Sequence, residues 1–138
     1  MFCAVFDEIE RVLLGVNRLE EVKKLARLVE GLLLGHAEIE DDLLSLAQAH
    51  VPGEKGRYAR CRQEHREIDV RLVRVYGTKT VAGARKLLRA VLAASREHFN
   101  REERRLFPRL EKAMRPETLT RLGTLWFLHN HAPANWTL

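Results

Sequence analysis

The sequence predicts an all-α fold, an antiparallel up-down-up-down four-helix bundle with a short extra C-terminal helix. Three observations lead there. Apolar residues recur three and four apart along most of the 138 residues, the spacing that puts one stripe on a helix. Only eight glycines and four prolines interrupt the chain. The segments between the periodic stretches are short, and short connections favour antiparallel neighbours.

The first helix is expected over residues 2 to 15, with Phe2, Val5, Phe6, Ile9, Val12, Leu13 and Val16 as its buried side. Gly15 to Asn17 breaks it. Asn17 is the expected N-cap of the second helix, and Glu20 and Glu21 suit its first turn. That helix continues to about Ala49 on a stripe of Leu25, Val29, Leu32, Leu33, Leu43 and Ala47. Gly31 and Gly35 interrupt it at a cost of up to about 1 kcal/mol each, for which close packing against a neighbour is the usual reason. His50 to Gly56 reads as a loop, with His50 favoured at a helix C-terminus by the macrodipole. The third helix is expected over 57 to 76, ending at Gly77-Thr78, and Thr78 or Thr80 can cap the fourth. The fourth, over about 79 to 113, contains Pro108, which predicts a kink or break near Arg104 to Phe107. A last short helix carries Leu119, Leu122, Leu125 and Trp126, with Trp126 covering the bundle or making a dimer contact. Residues 1–128 are thus expected to form one domain and 129–138 an irregular tail, in which His129 and His131 are solvated polar residues rather than ligands.

Chemistry is signalled by ionisable groups on the apolar faces. His98 and Glu102 stand four residues apart, one turn along a helix, on the face of Leu88, Val91, Ser95 and Leu106. His36 and Glu40 repeat the arrangement near the middle of the second helix, and His65 lies on the stripe of Cys61, Ile68 and Leu72. A single histidine on such a face is more often a hydrogen-bonded core residue than a ligand. A buried carboxylate, however, is costly without a cation or a hydrogen-bonding partner. Two histidine-glutamate pairs and a third histidine therefore point to an internal metal site. Imidazole with carboxylate suits iron, manganese or zinc rather than calcium or magnesium.

These residues resemble the haemerythrin-like, or HHE cation-binding, family. The matching positions are His36 with Glu40, Glu64-His65, and His98 with Glu102-Glu103 followed by Leu106-Phe107-Pro108. The resemblance covers roughly residues 5 to 113. It implies a four-helix bundle around a non-haem di-iron centre that binds oxygen, responds to iron or redox state, or reacts with nitric oxide. The expected metal ligands are His36, His65 and His98 as terminal nitrogens, and Glu40 and Glu102 as carboxylates able to bridge two ions. The family normally places a further histidine on the first helix, and here the apolar repeat puts Val5-Phe6 at that point. The site is accordingly expected to hold iron either as a pair or as a reduced mononuclear centre. Glu8 and Glu10 lie at the margin of the first stripe and are expected to be solvated; Cys3 is a weaker candidate still. Asp69, one turn after His65, is a further candidate, and Glu64 and Glu103 are expected to orient ligand histidines.

Composition narrows the rest. With 46% hydrophobic and 31% charged residues, the chain suits an ordinary globular domain. Its net charge of +5 is spread over the helical faces, densest at Arg57, Arg60, Arg62 and Arg66, without aromatic interleaving or a recognisable nucleic-acid motif. No nucleic-acid partner is expected. Cys3 and Cys61 are too few for a disulfide framework, which fits a cytoplasmic location. Asp7, Glu8, Glu10 and Arg11 interrupt the apolar N-terminus before a signal-peptide core forms, and no apolar run of about 18 residues predicts a membrane span. The partner expected from the resemblance is a small diatomic ligand such as O2 or NO, with a homodimer left open. Two alternatives stand beside it: a peroxidase-like metalloenzyme, for which the sequence offers no substrate pocket, and a degenerate bundle without full metal occupancy that acts through protein contacts.

Overall fold

The computed structural model describes the backbone of residues 2–131 and the side chains of residues 2–124. It is all-α, with no strand among the described residues. Helix α1 spans Phe2–Leu14, α2 Leu19–His50, α3 Lys55–Gly77 and α4 Val81–Arg101. A π-helical turn over Glu102–Leu106 joins α4 to α5, Phe107–Ala113, and α6 spans Pro116–His131. Helix α3 packs against both α2 and α4, and α1 lies across α2 and α4.

The core divides into two apolar clusters. One gathers Phe6, Ile9 and Leu13 of α1, Val29 and Leu33 of α2, Ile68 and Leu72 of α3, and Leu88 and Leu92 of α4. The other holds Leu44, Ala47, Tyr58, Cys61, Leu106, Leu110 and Met114. Helix α2 passes the first cluster and then the second, α3 meets them in reverse, and the run from α4 through the π turn into α5 repeats the order of α2. Consecutive helices α2, α3 and α4 therefore alternate in direction. His36 and Glu40 on α2 and His65 on α3 fall between the clusters, and His98 and Glu102 lie where α4 gives way to the π turn, as a polar layer between two apolar ones.

Several local expectations are corrected by the packing. Val5 and Val12 are exposed, because three turns of α1 need only Phe6, Ile9 and Leu13 to reach the core. The α2 cap is Arg18, not Asn17: the Arg18 carbonyl accepts from Val22 N–H, with no side-chain cap. Thr80 does cap α4, its hydroxyl accepting from Gly83 N–H at 3.1 Å. A Cβ at Gly83 would stand 2.8 Å from that hydroxyl, so the cap itself excludes a larger residue.

Pro108 does not break the chain. The turn before it widens, so that Phe107 N–H donates to the Glu102 carbonyl five residues back. The extra residue accommodates a proline that has no N–H to give and whose ring crowds the preceding turn. Helix α6 continues to His131, longer than the short helix expected and through the first part of the expected tail. The Trp126, His129 and His131 side chains and residues 132–138 lie outside the described residues.

Gly31 and Gly35 have no close neighbour, since a Cβ built at either position meets nothing within 4 Å. Close packing therefore does not explain them. Gly31→Ala is expected to stabilise the domain by about 0.5–1 kcal/mol, through a less flexible unfolded chain and a better helix former. Thermal denaturation should show a midpoint higher by a few degrees; a lower one would mean that something occupies the space beside it.

Candidate metal centre

Three helices bring the five expected ligands to one place. His36 and Glu40 come from α2 and His65 from α3, while His98 lies in the last turn of α4 and Glu102 opens the π turn. Each offers a donor atom, and all five donors lie within 4.8 Å of one another. His65 Nε2 and His98 Nε2 are 2.9 Å apart. Glu40 Oε2 lies 2.6 Å from His36 Nε2, 3.3 Å from His65 Nε2 and 3.8 Å from His98 Nε2, and Glu102 Oε1 lies 2.6 Å from His98 Nε2. His98 is 1% exposed, Glu102 3% and Glu40 5%.

Proximity here does not amount to mutual hydrogen bonding. Both Glu40 oxygens, His36 Nε2 and Glu102 Oε1 are buried without a hydrogen bond, although their neighbours are close. Buried polar atoms are rarely left so. Donor atoms this close and without hydrogen bonds are disposed as a cation's ligands are. Neighbouring donors about 3 Å apart are what octahedral bonds of about 2.1 Å require. The residues present fit a metal ion.

The π turn matters to this arrangement. Such insertions recur at functional sites, and this one begins at Glu102 itself. Around the donors, Glu64 accepts from His98 Nδ1 at 2.6 Å, across from α3 to α4. That bond directs His98 Nε2 toward the other donors. Arg60 Nε at 3.0 Å and Arg101 Nη2 at 2.8 Å hold the other Glu64 oxygen. Burial pushes the Glu64 carboxyl up, but His98, Arg60 and Arg101 outweigh it and keep the group below its usual range. Glu103, by contrast, is exposed; it lies on the other side of the widened turn.

Asp41 is the residue that sequence reasoning missed. Its Oδ1 is 3.3 Å from His65 Nδ1, without hydrogen-bond geometry between them. The signal was its place directly after Glu40, but only the register between α2 and α3 sets it beside His65. Asp69 is exposed and stands outside the cluster. Glu8 pairs with Arg11, and Glu10 accepts from Arg96 at 2.8 Å, so neither turns inward. Cys3 is exposed. Cys61 is buried, and burial together with the charges of Glu102, Glu40 and Glu64 raises its thiol to about 12; without a metal it is not a thiolate.

On the α1 side the wall is aromatic. Phe2 meets His36 edge-on at 5.1 Å and Phe99 does so at 4.8 Å, while Phe6 stacks behind Phe99 at 5.9 Å. The first helix thus faces His36 with rings and not with a ligand.

The family model described as Hemerythrin HHE cation binding domain matches residues 2–110. The chain belongs to that family. No curated protein and no solved structure matches it. As a haemerythrin HHE domain it carries the histidine-glutamate cluster on three helices, and α1 contributes no donor to it. No helix among the described residues is long and apolar enough to cross a membrane.

The electrostatics of the haemerythrin cluster follow from burial against charge. Burial opposes the charged form of His98, but Glu102, Glu40 and Glu64 raise it to about 10. Burial raises the Glu102 carboxyl to about 9, with Glu40 acting in the same sense and His98 against it. Glu40 stays well below the usual range despite its burial, because His36, His65 and His98 surround it. Without a metal, the Glu40 carboxylate stands beside His98 and Glu102, both of which keep their protons at neutral pH.

Proposed function

We propose that this haemerythrin-family domain holds one non-haem metal ion, iron in the first instance with manganese or zinc as substitutes, and binds or senses a small diatomic ligand such as O2 or NO. His36, His65, His98, Glu40 and Glu102 are its ligands. The observation that carries this is the size of the donor set. Two donors on opposite sides of one ion are about 4 to 4.4 Å apart at ordinary bond lengths, close to the 4.8 Å span found for all five. A second ion would stand about 3.5–4 Å from the first and push the outer donors well beyond that span. Phe2 of α1 and Phe99 of α4 face His36 with rings and offer no donor there.

His36, Glu40, His65, His98 and Glu102 would hold a ferrous ion, which would supply the affinity for the diatomic ligand. The protein supplies the rest. Glu64 fixes the His98 tautomer and ring direction, and Phe2, Phe6 and Phe99 close the α1 side with apolar surface.

Elemental analysis of protein expressed in iron-sufficient medium tests this directly. Iron near one atom per chain is the expected result. Two atoms would overturn the single-ion site in favour of a di-iron centre, and no metal after reconstitution would overturn the metal function itself, leaving a bundle that acts through protein contacts.

A further inference from the structure

A cavity of about 410 Å3 lies between α2, α5 and α6, within the range of about 300–1,000 Å3 typical of small-molecule sites. Its walls are apolar: Leu44 and Ala47 on α2, Leu110 on α5, Met114 after it, and Leu119 and Leu122 on α6. His36 and Glu40 line it as well. Along α2 the lining therefore runs from His36 to Ala47, about 16 Å at 1.5 Å per residue. Its polar groups are His36 and Glu40, at the end that opens on the metal centre, and the exposed Glu111 on α5; the rest of the lining is apolar. Glu40 is 5% exposed, and neither of its oxygens is hydrogen-bonded. These are atoms assigned above to the metal ion, so a head group at this end would meet that ion.

We propose that the cavity binds an elongated hydrocarbon bearing an oxygen anion of the carboxylate class, its tail along α2 and its head at the His36–Glu40 end. Such a molecule is far larger than the diatomic ligands considered above. The tail requires only the cavity. The head rests on the metal function proposed above, because an anion beside the Glu40 carboxylate is repelled unless a cation lies between them.

This division sets the experiment, a calorimetric titration of the full chain. Straight-chain alcohols from butanol to decanol are titrated into metal-free protein, and decanol and decanoate into protein before and after loading with zinc. The alcohols should bind saturably, tightening about fourfold with each added methylene. Decanoate should bind more weakly than decanol to metal-free protein, and roughly tenfold or more tightly once zinc is present. A Leu119→Trp, Leu122→Trp double variant, altering half-buried walls away from the donors, should lose alcohol binding and keep its zinc; if it does not fold, the wild-type series decides. Alcohols that fail to bind saturably would overturn the cavity as a hydrocarbon site, whatever zinc does. Alcohol and zinc binding with no gain for decanoate would overturn the placement of the head. Alcohol binding without zinc binding would overturn the metal function and the head with it, while supporting the tail site.

Discussion

His98→Ala is expected to remove metal binding and to destabilise the metal-free protein at the same time. His98 is fully buried and is the hub of the cluster: its Nε2 lies 2.6 Å from Glu102 and 2.9 Å from His65, and its Nδ1 lies 2.6 Å from Glu64. Alanine deletes one donor and also the group that orders two carboxylates. Loss of a hydrogen-bonded residue that only orients a ligand weakens metal binding by about 10–100-fold, so loss of the ligand itself should exceed a hundredfold. In the metal-free protein the substitution leaves a void and strips a buried carboxylate cluster of its cation. Breaking a buried ion pair from one side costs about 3–5 kcal/mol, which for a chain of this length lowers the melting midpoint by on the order of 10 °C. Asp69→Ala is the control, since Asp69 is exposed and outside the donor set; it should change neither quantity. Thermal melts with and without metal, beside a metal titration, separate the two effects. A His98→Ala protein that still binds metal with wild-type affinity would remove His98 from the site.

How much of this was legible in the sequence depends on whether one helix or several were needed. The spacing of His36 to Glu40 and of His98 to Glu102 is a property of a single helix, and so is the position of His65 on the stripe of Cys61 and Ile68. Each could be read from period alone. That all three point into one layer followed from their places between apolar runs on each helix. What lay beyond reach depends on register between helices. Asp41 sits beside His65, and Glu64 bonds His98 rather than its own neighbour, because of how α3 slides against α2 and α4. Phe2 rather than Val5 reaches His36, and Val5 faces solvent. Pro108 announced a disturbance near the right place, yet a widened turn satisfies its geometry as well as a break does, and only the packing of Leu106 and Leu110 into the second cluster favours the former. The cavity between α2, α5 and α6 has no sequence signature, since its walls are the same leucines that would fill a closed core.

The metal affinity and the stability of the metal-free protein are expected to respond to pH in opposite directions. His98 is raised to about 10 and Glu102 to about 9, so below pH 9 the metal-free cluster holds protons that a cation must displace. Each displaced proton makes affinity rise about tenfold per pH unit, and the pair gives a slope between one and two decades per unit through the neutral range. The metal-free protein behaves otherwise. His98, raised above its ordinary 6.5, contributes stability that is complete below 6.5 and lost as pH rises through 10. Glu102, raised from 4.5, acts in the same sense, its contribution draining away between 4.5 and 9. Glu40 is lowered and so contributes stability above 4.5 that is lost only in acid. From neutral pH upward the metal-free melting midpoint should therefore fall while metal binding tightens, and the gap between metal-free and metal-loaded midpoints should widen. Melts at pH 6, 7.5 and 9, with proton release measured in an unbuffered metal titration, check both trends. Metal binding that releases no proton at pH 7 would mean that the cluster is already deprotonated without its ion, with the two carboxylates and His98 held by the remaining imidazoles alone.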